Sequence, residues 1–242
     1  IVTASPGGSY SNWWCSLFNA DLALSVAMTA ISTILSIILL PANLLLYAHA
    51  AYGSYSQGEH SPLKSIDFVS LLVSLVIVIG AILLGLFVSY KQNSARFREI
   101  SNKVGSVAGI TLIIFSAIFL PRDNDGPRPW QQDWTFFVGV GGPCVGGLII
   151  ANVVARFLRL KSPETVTIAV ECCYQNMGIA LSAVPVMFKG EEAAQAIAVP
   201  LFYGLVEVIA VGLYCVVSWK LGWTKAPHDD PLCKVLTTVY AV

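Results

Sequence analysis

Long apolar runs, separated by short polar connectors, dominate this chain. A helix needs about 20 mostly apolar residues to cross the hydrocarbon core of a bilayer. Runs that meet or approach this length, most of them without charge, cover residues 22–48, 68–90, 104–121, 134–155, 165–188 and 193–219. The pattern predicts an all-α, polytopic membrane protein surrounded by the lipid bilayer.

The composition supports this interpretation. Hydrophobic residues make up 56% of the 242 residues and charged residues only 12%, whereas an average soluble domain carries about 25% charged residues. Because so few polar groups remain to coat a globule in water, we expect neither a soluble enzyme nor a disordered chain. The 14 basic and 14 acidic residues balance, so no bulk field favours nucleic acid as a partner.

Several residue types that often carry chemistry are predicted to be structural here. HExxH and GxSxG motifs are missing and the three histidines lie at or outside the ends of the apolar runs, so we expect no enzyme. The six cysteines form no CxxC pair and lie almost all in apolar runs, which predicts small buried hydrophobes rather than a disulfide or zinc framework. Asp21, directly before the run that begins at Leu22, is predicted to be a helix N-cap.

The basic residues of the connectors predict the orientation. The connectors on one side of the predicted membrane, together with the C-terminal tail, hold ten Lys and Arg residues, and those on the other side hold four. Cytoplasmic loops carry the excess of positive charge. The sequence therefore predicts a multi-pass protein of the plasma membrane or an organelle membrane, with a cytoplasmic C-terminus.

Two polar interruptions stand in the apolar pattern. Residues 5–12 contain the helix-breaking Pro6-Gly7-Gly8, and residues 171–178 place a carboxylate and two amides in the middle of a run. A similar Ala/Leu/Ser/Val phrase follows each of them. Matched interruptions are typical of inverted repeats whose discontinuous helices meet near the membrane midplane.

Glu171 is the candidate for chemistry within these interruptions. An ionised carboxylate at bilayer depth is costly unless it is paired, hydrated or coordinated, and no Lys or Arg lies within two helical turns of it. Its neighbours Gln175 and Asn176 supply neutral oxygens, and unwinding over residues 172–174 would free backbone carbonyls. This set suits a hard cation such as sodium. A protonated Glu171, hydrogen-bonded between helices, is the alternative.

Four further residues with side-chain oxygens are candidates for a site at Glu171. Ser11 and Asn12 follow the Pro-Gly-Gly break, and Ser25 and Thr29 share one helix face at i, i+4 spacing. Considered alone, such hydroxyls are structural because they often bond back to their own backbone. Together with Glu171 they would complete an oxygen cage, although the spacing does not establish that they converge.

Two motifs together resemble the sodium/bile acid symporter family. Residues 5–12 with residues 21–29 resemble the family's fourth and fifth helices, and Glu171 followed by Gln175-Asn176 resembles its ninth-helix signature. The resemblance implies a ten-helix fold of two inverted five-helix repeats, in which a core domain moves against a panel domain. The broken fourth and ninth helices would cross near the centre.

The resemblance also implies a division of this chain, which would lack the family's first three helices. Residues 1–64 would be the end of the first repeat, with a broken helix over residues 1–19 and a helix over residues 22–48. Residues 65–220 would form the second repeat, and residues 221–242 the cytoplasmic tail.

The resemblance further implies two sodium sites. One would use Ser11, Asn12, Ser25, Thr29 and Glu171. The other would use Glu171, Gln175, the backbone carbonyls of Cys172 and Tyr174, and a side chain from the family's third helix. The segment from Pro200 to Tyr203 resembles the family's tenth helix, so Glu207 as well as Asn176 is predicted to contact the solute.

The sequence as a whole predicts a sodium-coupled symporter that carries a small organic, anionic solute by alternating access. Two alternatives stay open. The first is a proton-coupled carrier that uses Glu171 as its proton site, and sodium dependence of uptake at fixed pH separates it from a symporter. The second is a non-transporting membrane protein that keeps the fold, which solute binding without solute flux would indicate.

Overall fold

A computed structural model describes residues 2–52, 68–92, 133–187 and 191–240, together with a few isolated positions between 94 and 111. In these ranges every element longer than a single bridge is a helix. The all-α prediction is therefore confirmed for the described part of the chain. The predicted run over residues 104–121 lies largely outside it.

The helices follow the apolar runs closely. A short 3-10 helix, Val2–Ala4, precedes α1 (Ser9–Leu17), α2 (Leu22–Tyr52), α3 (Phe68–Gln92), α4 (Trp134–Phe157), α5 (Ser162–Cys173), α6 (Met177–Met187), α7 (Glu191–Lys220) and α8 (Leu232–Thr237). α2 begins at the predicted residue and continues to Tyr52, four residues beyond the predicted end. α4 and α7 likewise extend the predicted runs by one or two residues at their ends.

Some of these helices are long and apolar enough to cross a membrane. Among the described residues, α4 and the segment Ala196–Lys220 of α7 meet this condition, and Leu22–Ser36 with Ile38–Leu44 would be a third span if the bent pair crosses as one. These helices support the prediction of an integral, multi-pass membrane protein.

The chain divides into two compact units. One, which we call the site unit, comprises Val2–Ser36, Pro127–Met177 and Phe202–Val242. The other comprises Ile37–Gly126 and Gly178–Leu201. All predicted sodium and solute residues belong to the site unit, whereas the repeat boundaries stay a prediction.

Two helix breaks meet in the site unit. The first lies between the 3-10 helix and α1, and the second between α5 and α6. The two extended segments run antiparallel, because the Gly8 amide donates to the Tyr174 carbonyl at 3.1 Å and the Asn176 amide donates to the Pro6 carbonyl at 2.8 Å. Backbone groups that the breaks remove from helices therefore satisfy each other, as a membrane interior requires.

Both breaks are shorter than the sequence predicts. α1 already begins at Ser9, so Ser11 and Asn12 are helical rather than part of the interruption. α5 continues through Cys173, so the chain unwinds at Tyr174 and not already at Cys172. Hydrogen bonding explains the difference, because each unwound residue near the bilayer centre exposes a donor and an acceptor that need new partners.

The glycines of the first break permit the close approach of the second. A Cβ atom on Gly8 would lie 2.7 Å from the Gln175 carbonyl oxygen, and one on Gly7 would lie 2.9 Å from Glu171 Oε2. No other residue type leaves this space. The Pro-Gly-Gly sequence thus both ends the short first helix and admits the crossing segment.

The glycine-rich helix α4 packs closely at one of its glycines. A Cβ atom on Gly147 would lie 3.3 Å from the Cys172 carbonyl oxygen, so α4 and α5 approach closely there. Cβ atoms on Gly139, Gly142 and Gly146 would meet nothing within 4 Å in the described structure. Of the α4 glycines, Gly147 makes the closest approach, whereas a Cβ atom on Gly141 would lie 3.6 Å from Val206, an ordinary contact distance.

The polar tail folds back onto the end of α1. Asn19 has a positive φ of 56° and ends α1, with the Ala20 amide donating to the Cys15 carbonyl at 2.9 Å. Its side-chain Nδ2 donates to the carbonyls of Val235 (3.3 Å) and Thr238 (3.1 Å). The Tyr240 amide donates to Asn19 Oδ1 at 2.9 Å, so one buried asparagine holds the tail.

The cysteines correct one expectation. None of the six forms a disulfide, and four are buried as predicted, but Cys172 and Cys233 are exposed. Cys172 lies at the end of α5, and Cys233 lies in the tail helix α8. A prediction of burial from residue type alone therefore fails for cysteines at the end of a helix or in the polar tail.

Candidate cation-binding site

The Glu171 carboxylate is buried in the last turns of α5 and accepts hydrogen bonds from three hydroxyl groups. Ser11 Oγ lies 2.7 Å from Oε1, and Thr29 Oγ1 lies 2.9 Å from Oε2. Ser25 Oγ also donates to Oε1. In the described part of the chain no basic side chain pairs with Glu171. The donors that surround this carboxyl group in the described structure are therefore all neutral.

Asn12 closes the ring of oxygens around this carboxylate. Its Oδ1 lies 2.7 Å from Ser25 Oγ, and its Nδ2 lies 3.3 Å from Thr29 Oγ1. The five residues Ser11, Asn12, Ser25, Thr29 and Glu171, which we call the oxygen cage, thus come together although the sequence did not establish their convergence.

Local sequence explains how the cage is assembled. Ser11 and Asn12 occupy the first turns of α1, directly after the break, and Ser25 and Thr29 lie one turn apart on α2. Residues at i and i+4 share a helix face, so both α2 hydroxyls point to the same side. The three helices α1, α2 and α5 each contribute a part of one small site.

The start of α2 is fixed by Asp21, as the sequence predicts. Its Oδ1 accepts the Leu24 amide at 3.0 Å, which confirms the N-cap. The Asp21 amide in turn lies 2.9 Å from Thr167 Oγ1 on α5. Thr167 lies one turn before Glu171 on α5. The contact therefore fixes how far along α5 the start of α2 lies, and with it the positions of Ser25 and Thr29 relative to the Glu171 carboxylate.

The donor set of the oxygen cage fits a hard monovalent cation. Carboxylate, hydroxyl and amide oxygens are the ligands that hard cations prefer. A single carboxylate supplies one negative charge, which one monovalent cation would neutralise. Each hydroxyl that donates to Glu171 can rotate and present its lone pairs to a cation instead. Of the described residues, none form a cluster of three or more His, Cys, Asp or Glu groups suited to a transition metal.

The residues predicted for the second sodium site surround the break itself. Gln175 Nε2 lies 3.2 Å from the Cys172 carbonyl oxygen, and the Tyr174 carbonyl accepts the Gly8 amide at 3.1 Å. A carbonyl oxygen has two lone pairs, so both carbonyls keep capacity for a further ligand. The geometry is compatible with the predicted ligands, and their role stays a prediction.

The two residues predicted to contact the solute have different surroundings. Asn176 is half-buried at the break, with its amide bound to the Pro6 carbonyl. Glu207 is 0% exposed, and its Oε1 accepts the Gln175 amide at 2.6 Å. Solute contact by Glu207 would require this burial to change, and that role stays a prediction.

Comparison with known proteins places the chain in a family. Residues 1–124 match the model of the Sodium Bile acid symporter family, which is more than half of the chain. The chain belongs to this family. The matched range contains the four cage residues on α1 and α2, and Glu171 supplies the fifth from outside it.

Individual relatives extend the similarity over nearly the whole chain. The human ileal sodium/bile acid cotransporter is 28% identical over 235 residues, covering 93% of this chain and 63% of the relative. The human sodium-dependent organic anion transporter is 26% identical over 210 residues, covering 86% of this chain and 52% of the relative. The chain thus spans between about half and two thirds of the length of these family members.

Three contacts of the site were not predicted from the sequence. They are the bond from the Gln175 amide to Glu207, the bond between Asp21 and Thr167, and the 3.3 Å contact of the Gly7 amide with Ser32 Oγ. Glu207 itself could be singled out because it is a lone carboxylate in an apolar run. Nothing in the sequence indicates that its partner is the Gln175 amide. Thr167 and Ser32 resemble ordinary membrane-helix hydroxyls, and no signal distinguishes them.

Proposed function

We propose that this member of the sodium bile acid symporter family is a sodium-coupled symporter that carries an organic anion by alternating access. The observation that carries the proposal is the buried Glu171 carboxylate, ringed by hydroxyl and amide oxygens and without a basic partner among the described residues. The names of the relatives, sodium/bile acid cotransporter and sodium-dependent organic anion transporter, support both the ion and the solute class.

The electrostatics of the oxygen cage support sodium as the coupling ion. A buried carboxylate costs free energy that neutral hydrogen bonds offset only in part. A sodium ion would neutralise this charge and draw Ser11, Ser25 and Thr29 towards one centre. Because Ser11 lies on α1, Ser25 and Thr29 lie on α2, and Glu171 lies on α5, cation binding would fasten these three helices to one another.

Coupling to the solute would follow from the position of the cage beside the crossing. Gly7 lies against Glu171 Oε2, and Gly8 lies against the Gln175 carbonyl. A cation that orders Glu171 would therefore order both breaks, where α1 and α6 begin. Helix N-termini carry partial positive charge, which would favour an anionic solute near Asn176. Sodium would thus prepare the site that the solute requires, and each ligand would favour the same conformation.

The proposal is tested first by sodium binding, which needs no knowledge of the solute. Binding of ²²Na⁺ to the full-length protein is measured for the wild type, Ser25→Ala and Ser36→Ala. Ser25 Oγ donates to Glu171, whereas Ser36 Oγ lies on the same helix and bonds its own backbone at Thr33. We expect Ser25→Ala to weaken sodium binding about tenfold and Ser36→Ala to leave it unchanged. Equal isotherms for all three proteins would contradict the cage.

Solute transport is tested next in proteoliposomes loaded with buffer at fixed pH. A labelled bile acid serves as the probe, and an inward sodium gradient is compared with an inward proton gradient. We expect uptake under the sodium gradient and its loss in Glu171→Ala. Uptake driven by protons alone would favour the proton-coupled carrier, and binding of the probe without flux would favour a non-transporting protein.

A further inference from the structure

The carboxylate of Glu207 occupies an unusual position in the site unit. It is completely buried in α7, and one oxygen, Oε1, lies 2.6 Å from the backbone nitrogen of Gln175. The second oxygen, Oε2, has no hydrogen-bond partner among the described residues. The only hydrogen bond that the described structure gives this buried acidic side chain comes from a backbone amide in the break between α5 and α6. Burial of a carboxyl group with so few partners costs free energy. We therefore ask what the bond does for the segment that donates it.

The amide that Glu207 binds needs an acceptor from outside its own helix. α5 ends at Cys173, and the Tyr174 amide still donates to the Val170 carbonyl at 2.9 Å. Gln175 is the next residue, and its amide points away from that helix because the chain is extended there. Without Glu207 this half-buried donor would lose its acceptor, and native structures leave few such amides unpaired.

We infer that Glu207 is a positioning residue for the Gln175 cation ligand: by holding the Gln175 backbone amide, it fixes the extended segment in the register that the second sodium site requires. The inference rests on the proposed sodium coupling. The Gln175 side chain and the Tyr174 carbonyl belong to this segment and move with it, whereas the Cys172 carbonyl lies in the last turn of α5. Glu207 thus acts through Gln175 and does not itself contact the cation.

The register of the break depends on few contacts, which makes the Glu207 bond consequential. The neighbouring Tyr174 carbonyl and Asn176 amide are held by the first break, through Gly8 and Pro6. Glu207 holds the amide between them from the α7 side. Without this third contact the peptide group between Tyr174 and Gln175 would be held at its carbonyl end alone, so the Gln175 side chain would be less well fixed and the second site would loosen more than the oxygen cage.

The test compares sodium isotherms of the full-length protein and three variants. Glu207→Gln keeps an oxygen that can accept the Gln175 amide, Glu207→Leu removes the acceptor, and Val211→Ala makes a cavity one turn further along α7 at another fully buried residue. Binding of ²²Na⁺ is measured over a concentration series. We expect Glu207→Gln and Val211→Ala to bind like the wild type, and Glu207→Leu to bind about tenfold more weakly with a lower Hill coefficient.

A double-mutant cycle separates positioning from a general loss of stability. Glu207→Leu and Gln175→Ala are measured alone and combined. If Glu207 acts through the Gln175 side chain, adding Glu207→Leu to Gln175→Ala weakens sodium binding no further, because contacting residues are non-additive. Additive losses, or an unchanged isotherm in a folded Glu207→Leu, would overturn the inference.

The outcomes also distinguish this inference from the proposed function. Absence of sodium binding in the wild type would remove the symporter proposal, whereas normal wild-type binding with an insensitive Glu207→Leu would remove only the positioning role. Where Glu207→Leu does not fold, Glu207→Met in the same cycle provides the apolar replacement. In either case Glu207→Gln must bind sodium with the affinity of the wild type. A weaker affinity would contradict the role of Glu207 as the acceptor of the Gln175 amide.

Discussion

At the scale of single residues, the oxygen cage shows how hydroxyl groups can hold a carboxylate that has no basic partner in the described part of the chain. Three hydroxyls from two other helices donate to Glu171. Each hydroxyl is also an acceptor, so the same atoms suit both a hydrogen-bonded carboxylate and a bound cation. Lysine or arginine at any of these positions would satisfy the charge permanently and leave no place for an ion.

The first prediction concerns Thr29, the only cage residue that donates to Glu171 Oε2. Thr29→Val keeps the shape of the side chain and removes the hydroxyl, so we expect a loss of stability of about 1–3 kcal/mol because a buried acceptor loses its partner. Thr29→Ser keeps the hydroxyl and should retain sodium binding. Thermal unfolding and ²²Na⁺ binding of both variants provide the measurement. Equal sodium affinity of the two variants would contradict a role for the hydroxyl.

At the scale of elements, two broken helices are joined by two backbone hydrogen bonds. The bonds from Gly8 to Tyr174 and from Asn176 to Pro6 replace the helical bonds lost at each break. The exchange works only where the two backbones approach closely, and the glycines of the first break provide that space.

The second prediction tests this close approach. Gly8→Ala places a Cβ atom 2.7 Å from the Gln175 carbonyl oxygen, and we expect a loss of stability of about 1–3 kcal/mol as the segments separate. Gly142→Ala is the matched control, since its Cβ atom meets nothing within 4 Å. Thermal unfolding in detergent is compared for the two variants. Similar unfolding temperatures would show that the crossing does not need Gly8.

The third prediction concerns the docked tail. Asp230 accepts the Tyr240 hydroxyl at 2.5 Å and Lys234 Nζ at 2.9 Å. The Tyr240 hydroxyl, with a smaller effect from Lys234, holds the pKa of Asp230 below its ordinary value. A lowered folded-state pKa means that this contribution is present above about pH 4 and is lost as the pH falls through the folded-state pKa.

This pH dependence is measurable at the exposed Cys233 in α8. A fluorophore attached to Cys233, in a Cys172→Ser background, should gain mobility as the pH falls below about 4, and fluorescence anisotropy would report it. Asp230→Asn removes the titrating group and should abolish the transition. An identical transition in Asp230→Asn would assign it to another group.

At the scale of the whole molecule, the division into repeats and the orientation in the membrane stay predictions. The boundaries at residues 64 and 220 derive from family resemblance, whereas the two compact units derive from contacts. Family membership and the apolar helices support a multi-pass protein. The direction in which it crosses is argued from the distribution of basic residues alone.

The fourth prediction tests that direction. A cysteine tag at His228, in the docked tail, should react only after the membrane is permeabilised, because the charge distribution places the tail in the cytoplasm. A tag at Gly58, which lies outside the described residues, should react in intact cells. Labelling with a membrane-impermeant maleimide in a cysteine-free background provides the measurement. Reaction at His228 in intact cells would invert the orientation.

The sequence by itself determined the features that depend on local pattern. Long helices over four of the apolar runs (α2, α3, α4 and α7), the break at Pro-Gly-Gly and the N-cap Asp21 are encoded by neighbouring residues, and all are found in the described part of the chain. Glu171 could be singled out because an unpaired charge in an apolar run is costly wherever its neighbours lie. The family motifs added an expected ligand set.

Only the tertiary structure decided which distant groups meet. Ser11 is 160 residues from Glu171 in the chain, and Ser25 is 146 residues from it, yet both donate to one oxygen. The lengths of the breaks, the bond between Glu207 and Gln175 and the docking of the tail on Asn19 likewise depend on partners that no local pattern names. The physical reason is that buried polar groups must find acceptors and donors, and which ones they find depends on how the helices pack.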